Sequence, residues 1–136
     1  YVELLQRLID LDLVESVPPI QLCIRLLVPQ GSYLLKLPGF RDLIQDFDAK
    51  ILGYPWRHGD PRVDELQRQV QAFVASAEEA GLLRREVFAR IWAMAHEALG
   101  KTASPLDHLS LGSPIPHLSE PWFCCAEPTE QQLQSF

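Results

Sequence analysis

The sequence has few of the features that identify many small catalytic and binding domains. Its 136 residues include three cysteines and one methionine, too few sulfur atoms for a disulfide scaffold. A reducing cytoplasm is therefore the expected compartment. No apolar run approaches the roughly 20 residues that cross a bilayer, so we expect no membrane partner.

Positive charge is also scarce. Twelve Lys and Arg against eighteen Asp and Glu give a formal net charge of -6 and a pI near 5.1. A basic stripe is the usual mark of a nucleic-acid binder, so we expect no nucleic-acid partner. The length fits one domain. Because the chain opens on Tyr1 and its single methionine is Met94, we expect it to be part of a longer polypeptide.

Three of the segments with helical periodicity supply the main predicted helices. The first covers residues 2–14. The second starts at Asp60-Pro61, an acid followed by proline at the first helical position, and stops at Gly81. The third covers residues 84–99 and stops at Gly100. A short connection predicts that the last two form an antiparallel helical hairpin. Their apolar stripes are Val63, Leu66, Val70, Phe73, Val74 and Ala77, then Phe88, Ile91, Trp92 and Ala95.

Residues 20–28 favour a β-strand, because they are apolar and lie between Pro19 and Pro29. Strand alternation puts Gln21, Cys23 and Arg25 on one face. Since charges are rarely buried alone, Arg25 faces a polar cavity, a carboxylate or a ligand; a solvated edge or a bridge to a neighbouring acid is an equal alternative. Cys23 is most simply a small buried apolar side chain.

The segment after this strand predicts a Ser32-capped helical turn over residues 33–37, an amphipathic helix over residues 40–52, and a loop over residues 53–61. The loop carries Trp56 and His58, which form either a lid beside a site or a packing anchor with a surface histidine. Trp92 and His96 are spaced to meet on one helix, and a core tryptophan beside a hydrogen-bonded histidine is the expected arrangement.

Residues 101–136 form a proline-rich tail with scattered apolar residues, which we interpret as an arm lying against the body. Its Cys124 and Cys125 are adjacent. Bonded cysteines hold their Cα atoms about 4.4–6.8 Å apart, whereas neighbours are about 3.8 Å apart. A disulfide between them is strained, and strained disulfides are typically labile or catalytic. The pair indicates a redox switch or a soft-metal ligand; the spacing does not fit structural zinc.

The string Trp-Phe-Cys-Cys-Ala-Glu-Pro at residues 122–128 resembles the tail of the CUAEP/CCAEP-tail radical SAM proteins. In selenium-using members of that family the second cysteine is selenocysteine, so Cys125 is its sulfur counterpart. VPPIQLCIRLLVPQGSYLL and YPWRHGDPRVDELQ also resemble the C-terminal third of those proteins. The resemblance covers most of the chain in three segments that occur in the same order.

The resemblance implies a mainly α fold with one or two β-strands. It would comprise the last elements of a radical SAM, TIM-like barrel with a following helix (residues 1–53), a helical hairpin subdomain (54–100) and an extended redox tail (101–136). It implies S-adenosylmethionine, a [4Fe-4S] cluster and cobalamin in upstream domains of the same polypeptide. The cluster motif CxxxCxxC is not in this sequence, so this chain alone should be inactive, with no cofactor or metal of its own.

The resemblance also suggests roles for individual residues. Cys124 and Cys125 would be a catalytic thiol pair, with Glu127 exchanging a proton. Gln21 and Arg25 would face the cavity for S-adenosylmethionine or an unidentified substrate. An alternative from another class is a helical interaction or oligomerisation module with a structural tail. A lone strand has unpaired edges, so residues 20–28 are also predicted to pair with a second copy.

Overall fold

A computed structural model describes residues 1–106 of the chain. Its helices are α1 (Val2–Asp10), α2 (Pro61–Glu79) and α3 (Arg84–Glu97), and 3-10 turns occupy Val14–Ser16, Pro19–Leu22 and Tyr33–Lys36. Within residues 1–106 β-structure is limited to isolated bridges, without a sheet. The predicted mainly α class is confirmed, whereas the barrel elements that the resemblance implied have no counterpart in this part of the chain.

The described residues divide into two compact units. One consists of Tyr1–Cys23 together with residues 65–106, and the other is Ile24–Asp64. The first, which we call the helical unit, contains α1, α3 and most of α2. The second, which we call the clasp unit, contains the 3-10 turn Tyr33–Lys36 and antiparallel bridges that join Pro29 with Gly53, Ile44 with Trp56 and Asp48 with Gly53.

The helical unit has one apolar core. Leu5 of α1 and Ile91 of α3 are fully buried, and Phe88 is 2% exposed. The predicted stripes supply most of the other members, which include Val70, Val74, Ala77, Trp92 and Ala95. Burying a side chain such as Leu or Phe stabilises a fold by about 1.5–3 kcal/mol. The helices are therefore held by this shared core rather than by local propensity alone.

Both long helices begin where the sequence predicts, and α2 stops before Gly81 as predicted, whereas α3 ends at Glu97, two residues before its predicted end. The Arg62 N–H donates to Asp60 Oδ1 (3.0 Å), as an N-cap acid should accept. After α2, Gly81 takes a left-handed φ of +68° and the Leu82 N–H donates to Ala77 O (3.0 Å). Gly100 repeats this turn after α3. Glycine suits both positions because it adopts positive φ without steric cost.

The first helix is shorter than predicted, ending at Asp10 rather than residue 14. Asp12 has a left-handed φ of +53°, and the Leu13 N–H donates back to Leu8 O (2.8 Å). Asp is one of the few non-glycine residues that enter this region readily. The turn it makes stops α1, while Leu5 still reaches the core on the predicted face.

The predicted strand over residues 20–28 is wrong. Its first part forms the Pro19–Leu22 3-10 turn, with proline where a helical φ is needed. Leu22 and Cys23 are both buried, whereas consecutive strand residues point to opposite faces. Burial of this adjacent pair in the helical core overrides local β-propensity. The predicted pairing of this strand with a second copy loses its structural basis.

The predicted helix over residues 40–52 is also wrong. Asp48 and Gly53 exchange two backbone hydrogen bonds (2.9 and 3.2 Å), and Leu52 between them has a positive φ of +54°. The Asp48 carboxylate also accepts from the Lys50 N–H (2.8 Å). Such local side-chain bonds compete with helix formation. The Ser32-capped turn is confirmed, because the Ser32 hydroxyl accepts from the Leu34 N–H (3.3 Å) ahead of Tyr33–Lys36.

Candidate functional site

Three residues predicted from the sequence as site residues lie in the clasp unit around one carboxylate. Arg25 Nη1 donates to Asp64 Oδ1 at 2.9 Å, and Nη2 donates to the carbonyl oxygen of Trp56. The guanidinium carbon lies 4.3 Å from the centroid of the Trp56 ring. The His58 N–H donates to Asp64 Oδ2 at 3.1 Å. We call Arg25, Trp56, His58 and Asp64 the Arg25 cluster.

The Trp56 side chain is fixed by contacts on several sides. Its indole N–H donates to Leu26 O (2.9 Å), and its ring lies 6.4 Å from that of Phe40, centroid to centroid. Its backbone forms a bridge with Ile44. These contacts make Trp56 a packing anchor, one of the two alternatives that the sequence left open. A lid role for this loop stays a prediction.

His58 is exposed, and its ring takes part in a local turn. The Asp60 N–H donates to His58 Nδ1 (3.0 Å). Asp60 in turn accepts from Arg62 through both carboxylate oxygens. The hydrogen bonds from Arg62 lower the pKa of Asp60 to about 2. His58 is therefore a surface residue whose ring supports the start of α2.

Arg25 and Asp64 form a half-buried ion pair within the Arg25 cluster. The side chain of Arg25 is 17% exposed and that of Asp64 is 25% exposed. A charge at this depth is retained only when it is paired, and the pair joins residues 24–28 to the first turn of α2. The sequence predicts a polar cavity, a carboxylate or a ligand beside Arg25, and the structure shows a carboxylate there, that of Asp64. Sequence reasoning missed Asp64, whose one signal was its position as an acid in the first turn of a helix.

Gln21 and Cys23 belong to the helical unit. Gln21 is exposed on the Pro19–Leu22 turn. Cys23 is 3% exposed and its Sγ donates to Ile20 O (3.2 Å). Burial raises the pKa of the Cys23 thiol to about 12. The prediction that Cys23 is a small buried apolar side chain is confirmed, and its thiol is protonated at neutral pH.

The Trp92–His96 pair is part of the helical core. Trp92 is 4% exposed and its indole N–H donates to Ser104 O at 3.2 Å. His96 Nδ1 lies 2.9 Å from Trp92 O, so it donates to that carbonyl, and the two rings are 4.1 Å apart by centroid. The expected core tryptophan beside a hydrogen-bonded histidine is confirmed.

The thiol site predicted in the tail, consisting of Cys124, Cys125 and Glu127, lies outside the described residues. Within residues 1–106, no three His, Cys, Asp or Glu side chains are grouped to hold a metal. Cys23 is the one cysteine there and is a protonated, buried thiol. These donors do not fit the [4Fe-4S] cluster implied by the resemblance, which needs three thiolates at CxxxCxxC spacing.

Comparisons with known proteins leave the family open. No family model, curated protein or solved structure matches the chain. None of the helices in residues 1–106 has the length and apolar character needed to cross a membrane.

Proposed function

We propose that this chain is the C-terminal portion of a radical SAM enzyme of the CUAEP/CCAEP-tail type, and that Cys124 and Cys125 form its redox-active thiol pair. The observation that carries the proposal is the Trp-Phe-Cys-Cys-Ala-Glu-Pro string, together with the two upstream segments that resemble the same family in the same order. Radical chemistry would begin at a cluster and S-adenosylmethionine held by upstream domains. The substrate is unassigned.

The chemistry of the pair follows from its spacing. Thiol–disulfide exchange with an external disulfide, such as oxidised glutathione, would join Cys124 and Cys125 through sulfur: one thiolate attacks the disulfide and releases one thiol, and the second thiolate then displaces the other thiol, so the external disulfide takes up the two electrons and two protons that the pair loses. Because the eight-membered ring that results is strained, the bond is easily reduced again. Glu127, two residues beyond the pair, takes up or returns a proton. The attacking species is the thiolate, so the pKa of each thiol controls the rate.

The reactivity of the cysteine among the described residues supports a redox role for the tail rather than for residues 1–106. The buried Cys23, with its pKa near 12, has negligible thiolate at neutral pH. Thiol chemistry in this chain therefore falls to the tail pair. The base of the tail is anchored to the helical unit, because Ser104 O accepts from Trp92 and Leu106 packs against the core.

Alkylation kinetics test the proposal. With iodoacetamide at neutral pH, Cys124 and Cys125 should react at least about 100-fold faster than Cys23, because an ordinary thiol has a pKa of about 8.5. Peptide mass spectrometry assigns each rate, and Cys23→Ser serves as the control with an unchanged tail. A redox titration against glutathione should then show a two-electron couple that disappears in Cys124→Ser. Equal rates for all three thiols, seen only after unfolding, would remove the redox role.

A second candidate function is protein interaction through the body of the chain. The observation that favours it is the number of large apolar side chains at the surface, including Leu11 (65% exposed), Leu52 (69%) and Tyr33 (81%). Scattered apolar residues are normal on protein surfaces, so this alternative needs association as evidence. Sedimentation velocity decides it, since a concentration-dependent dimer that persists in Cys124→Ser/Cys125→Ser would favour interaction over redox chemistry.

A further inference from the structure

One side-chain nitrogen of the helical unit has no hydrogen-bond partner within residues 1–106. It belongs to Arg84, the first residue of α3, which is half-buried. Arg84 Nη1 donates to the carbonyl oxygen of Glu15, whereas Nη2 is shielded from solvent and meets no acceptor. An unsatisfied buried donor destabilises a fold, and native proteins contain few of them. An acceptor from beyond residue 106 would remove this cost.

The charges around Arg84 favour an anionic acceptor. The N-terminus of a helix carries a partial positive charge, and Arg84 and Arg85 add two positive charges to the first turn of α3. The acid of that turn, Glu86, is already used, because its carboxylate accepts from the Leu83 N–H at 2.9 Å. None of the ion pairs within residues 1–106 includes Arg84. A carboxylate would satisfy the guanidinium with a charge-assisted hydrogen bond.

The residues beside this contact are apolar and exposed. Leu82 and Leu83 directly precede Arg84 and are 45% and 48% exposed, and Leu13, two positions before Glu15, is 37% exposed. We call Leu13, Leu82, Leu83 and Arg84 the Arg84 surface. A segment that fits this surface needs a carboxylate with apolar side chains next to it.

The chain that follows α3 runs back towards this surface. Near the end of α3, the Lys101 N–H donates to His96 O at 2.9 Å. One helical turn earlier, the Trp92 indole N–H donates to Ser104 O at 3.2 Å. Leu106 then packs against the core of the same unit. This part of the chain therefore follows α3 in the direction of its first turn.

The distance that remains is short. Arg84 lies eight positions before Trp92, which is about 12 Å along a helix. The three residues from Ser104 to Asp107 carry an extended chain up to about 10 Å in that direction, and the long side chain of Arg84 covers the rest. Asp107 is the first acidic residue after α3.

We propose that residues 107–111 of this chain dock on the Arg84 surface, with the Asp107 carboxylate accepting from Arg84 Nη2. The segment reads Asp-His-Leu-Ser-Leu, so Leu109 and Leu111 follow the acid by two and four positions. In an extended segment these three side chains point to the same side. The contact goes beyond the redox function and holds whether or not the tail thiols react.

This contact would also fix the point from which the thiol-bearing part of the tail extends. Cys124 follows Leu111 by thirteen positions, which span up to about 45 Å. Anchoring at residues 107–111 keeps the thiol pair within that distance of the helical unit, at a local concentration in about the millimolar range.

Disulfide trapping tests the docking. Leu83→Cys and Leu109→Cys are introduced together into the full chain in a Cys124→Ser/Cys125→Ser background. Cys23 does not compete, because it is 3% exposed. In oxidised glutathione, an intramolecular bond should form between residues 83 and 109, because docking raises the local concentration of the two thiols.

The rate of trapping should depend on the carboxylate. Adding Asp107→Asn should slow the intramolecular bond at least about tenfold, whereas Glu120→Gln, elsewhere in the tail, should leave the rate unchanged. Equal rates with and without Asp107→Asn would overturn the proposal. Bonds that form only between molecules, at a rate that rises with protein concentration, would also overturn it and assign the surface to a second copy.

Thermal unfolding of the chain with its native cysteines gives a second measurement. Asp107→Asn should lower the midpoint by about 4–8 °C, but by less than about 1 °C in an Arg84→Gln background, where the partner is already gone. An Arg90→Gln background should keep the full loss, because Arg90 pairs with Glu97 at the surface. Equal losses in both backgrounds would show that Asp107 does not act through Arg84. The redox titration of the thiol pair is a separate readout, so the two proposals fail separately.

Discussion

Removing the carboxylate of Asp64 should destabilise the clasp unit more than removing any neighbouring acid. Asp64 accepts from Arg25 at 2.9 Å and from the His58 N–H at 3.1 Å. Both side chains of the ion pair are less than one third exposed. Hydrogen bonds to charged groups contribute about 1.5–3 kcal/mol each, and breaking a fully buried pair costs about 3–5 kcal/mol. For this half-buried pair we expect Asp64→Ala to cost about 2–3 kcal/mol.

The adjacent residue provides a matched control. Glu65 also pairs with an arginine, Arg68, but both side chains of that pair are about half exposed or more. Exposed pairs of this kind contribute about 0–1 kcal/mol. Glu65→Ala, in the same helix and one position away, should therefore lower the free energy of unfolding much less than Asp64→Ala.

Urea unfolding followed by tryptophan fluorescence measures both effects. Trp56 reports on the cluster directly, because the Arg25 guanidinium covers its ring. A double-mutant cycle with Arg25→Met and Asp64→Ala should give a coupling energy of about 1.5–2 kcal/mol, within the range seen for groups in one network. A coupling below about 0.5 kcal/mol, or equal losses in Asp64→Ala and Glu65→Ala, would refute the view that this pair holds the clasp unit together.

Three further predictions concern stability. Burial raises the pKa of Cys23 to about 12, whereas the thiol of the unfolded chain has a pKa of about 8.5. The resulting stabilisation of the folded state is complete below about pH 8.5 and is lost as the pH rises towards 12. The urea midpoint should therefore fall from about pH 9 upward, and less steeply in Cys23→Ala. The lowered pKa of Asp60, about 2, contributes stability above about pH 4 that is lost as the pH falls towards 2; NMR titration should give this pKa, and Asp60→Asn should flatten the acid limb. Gly53→Ala should cost about 1–3 kcal/mol, because its Cβ would lie 3.0 Å from Val28 O; thermal unfolding should show no such loss for Gly59→Ala, where the space is open.

The contrast between α2 and residues 40–52 shows that helical spacing of apolar residues does not by itself predict a helix. Both segments have apolar residues at helical spacing. α2 also has a capping acid, proline at its first position and a glycine stop, and it forms as predicted. Residues 40–52 have the spacing and are followed by Gly53, but they lack a capping acid with a proline at their start, and Asp48 makes a turn bond with the Lys50 N–H. Spacing predicts a helix when the local chemistry at both ends agrees with it.

The Arg25 cluster shows that sequence patterns can identify a site residue without identifying its partner. From the sequence, Arg25 is a charged residue between apolar neighbours and therefore needs a partner. Trp56 and His58 lie in a loop that is rich in aromatic and polar residues. Asp64, which accepts from Arg25 and from the His58 N–H, lies 39 positions from Arg25 in the chain. A contact between residues so far apart is set by the path of the chain, and spacing carries no information about it.

The sequence by itself determined that α1, α2 and α3 form, where α2 and α3 begin, and the burial of Cys23, because periodicity, caps and side-chain polarity act within a few residues. Tertiary structure alone decided that residues 19–22 would turn instead of extending, since Leu22 and Cys23 gain more by entering the helical core than by pairing as a strand. It also decided that Arg25 would be neutralised by Asp64, because only the folded chain brings that carboxylate within hydrogen-bonding distance.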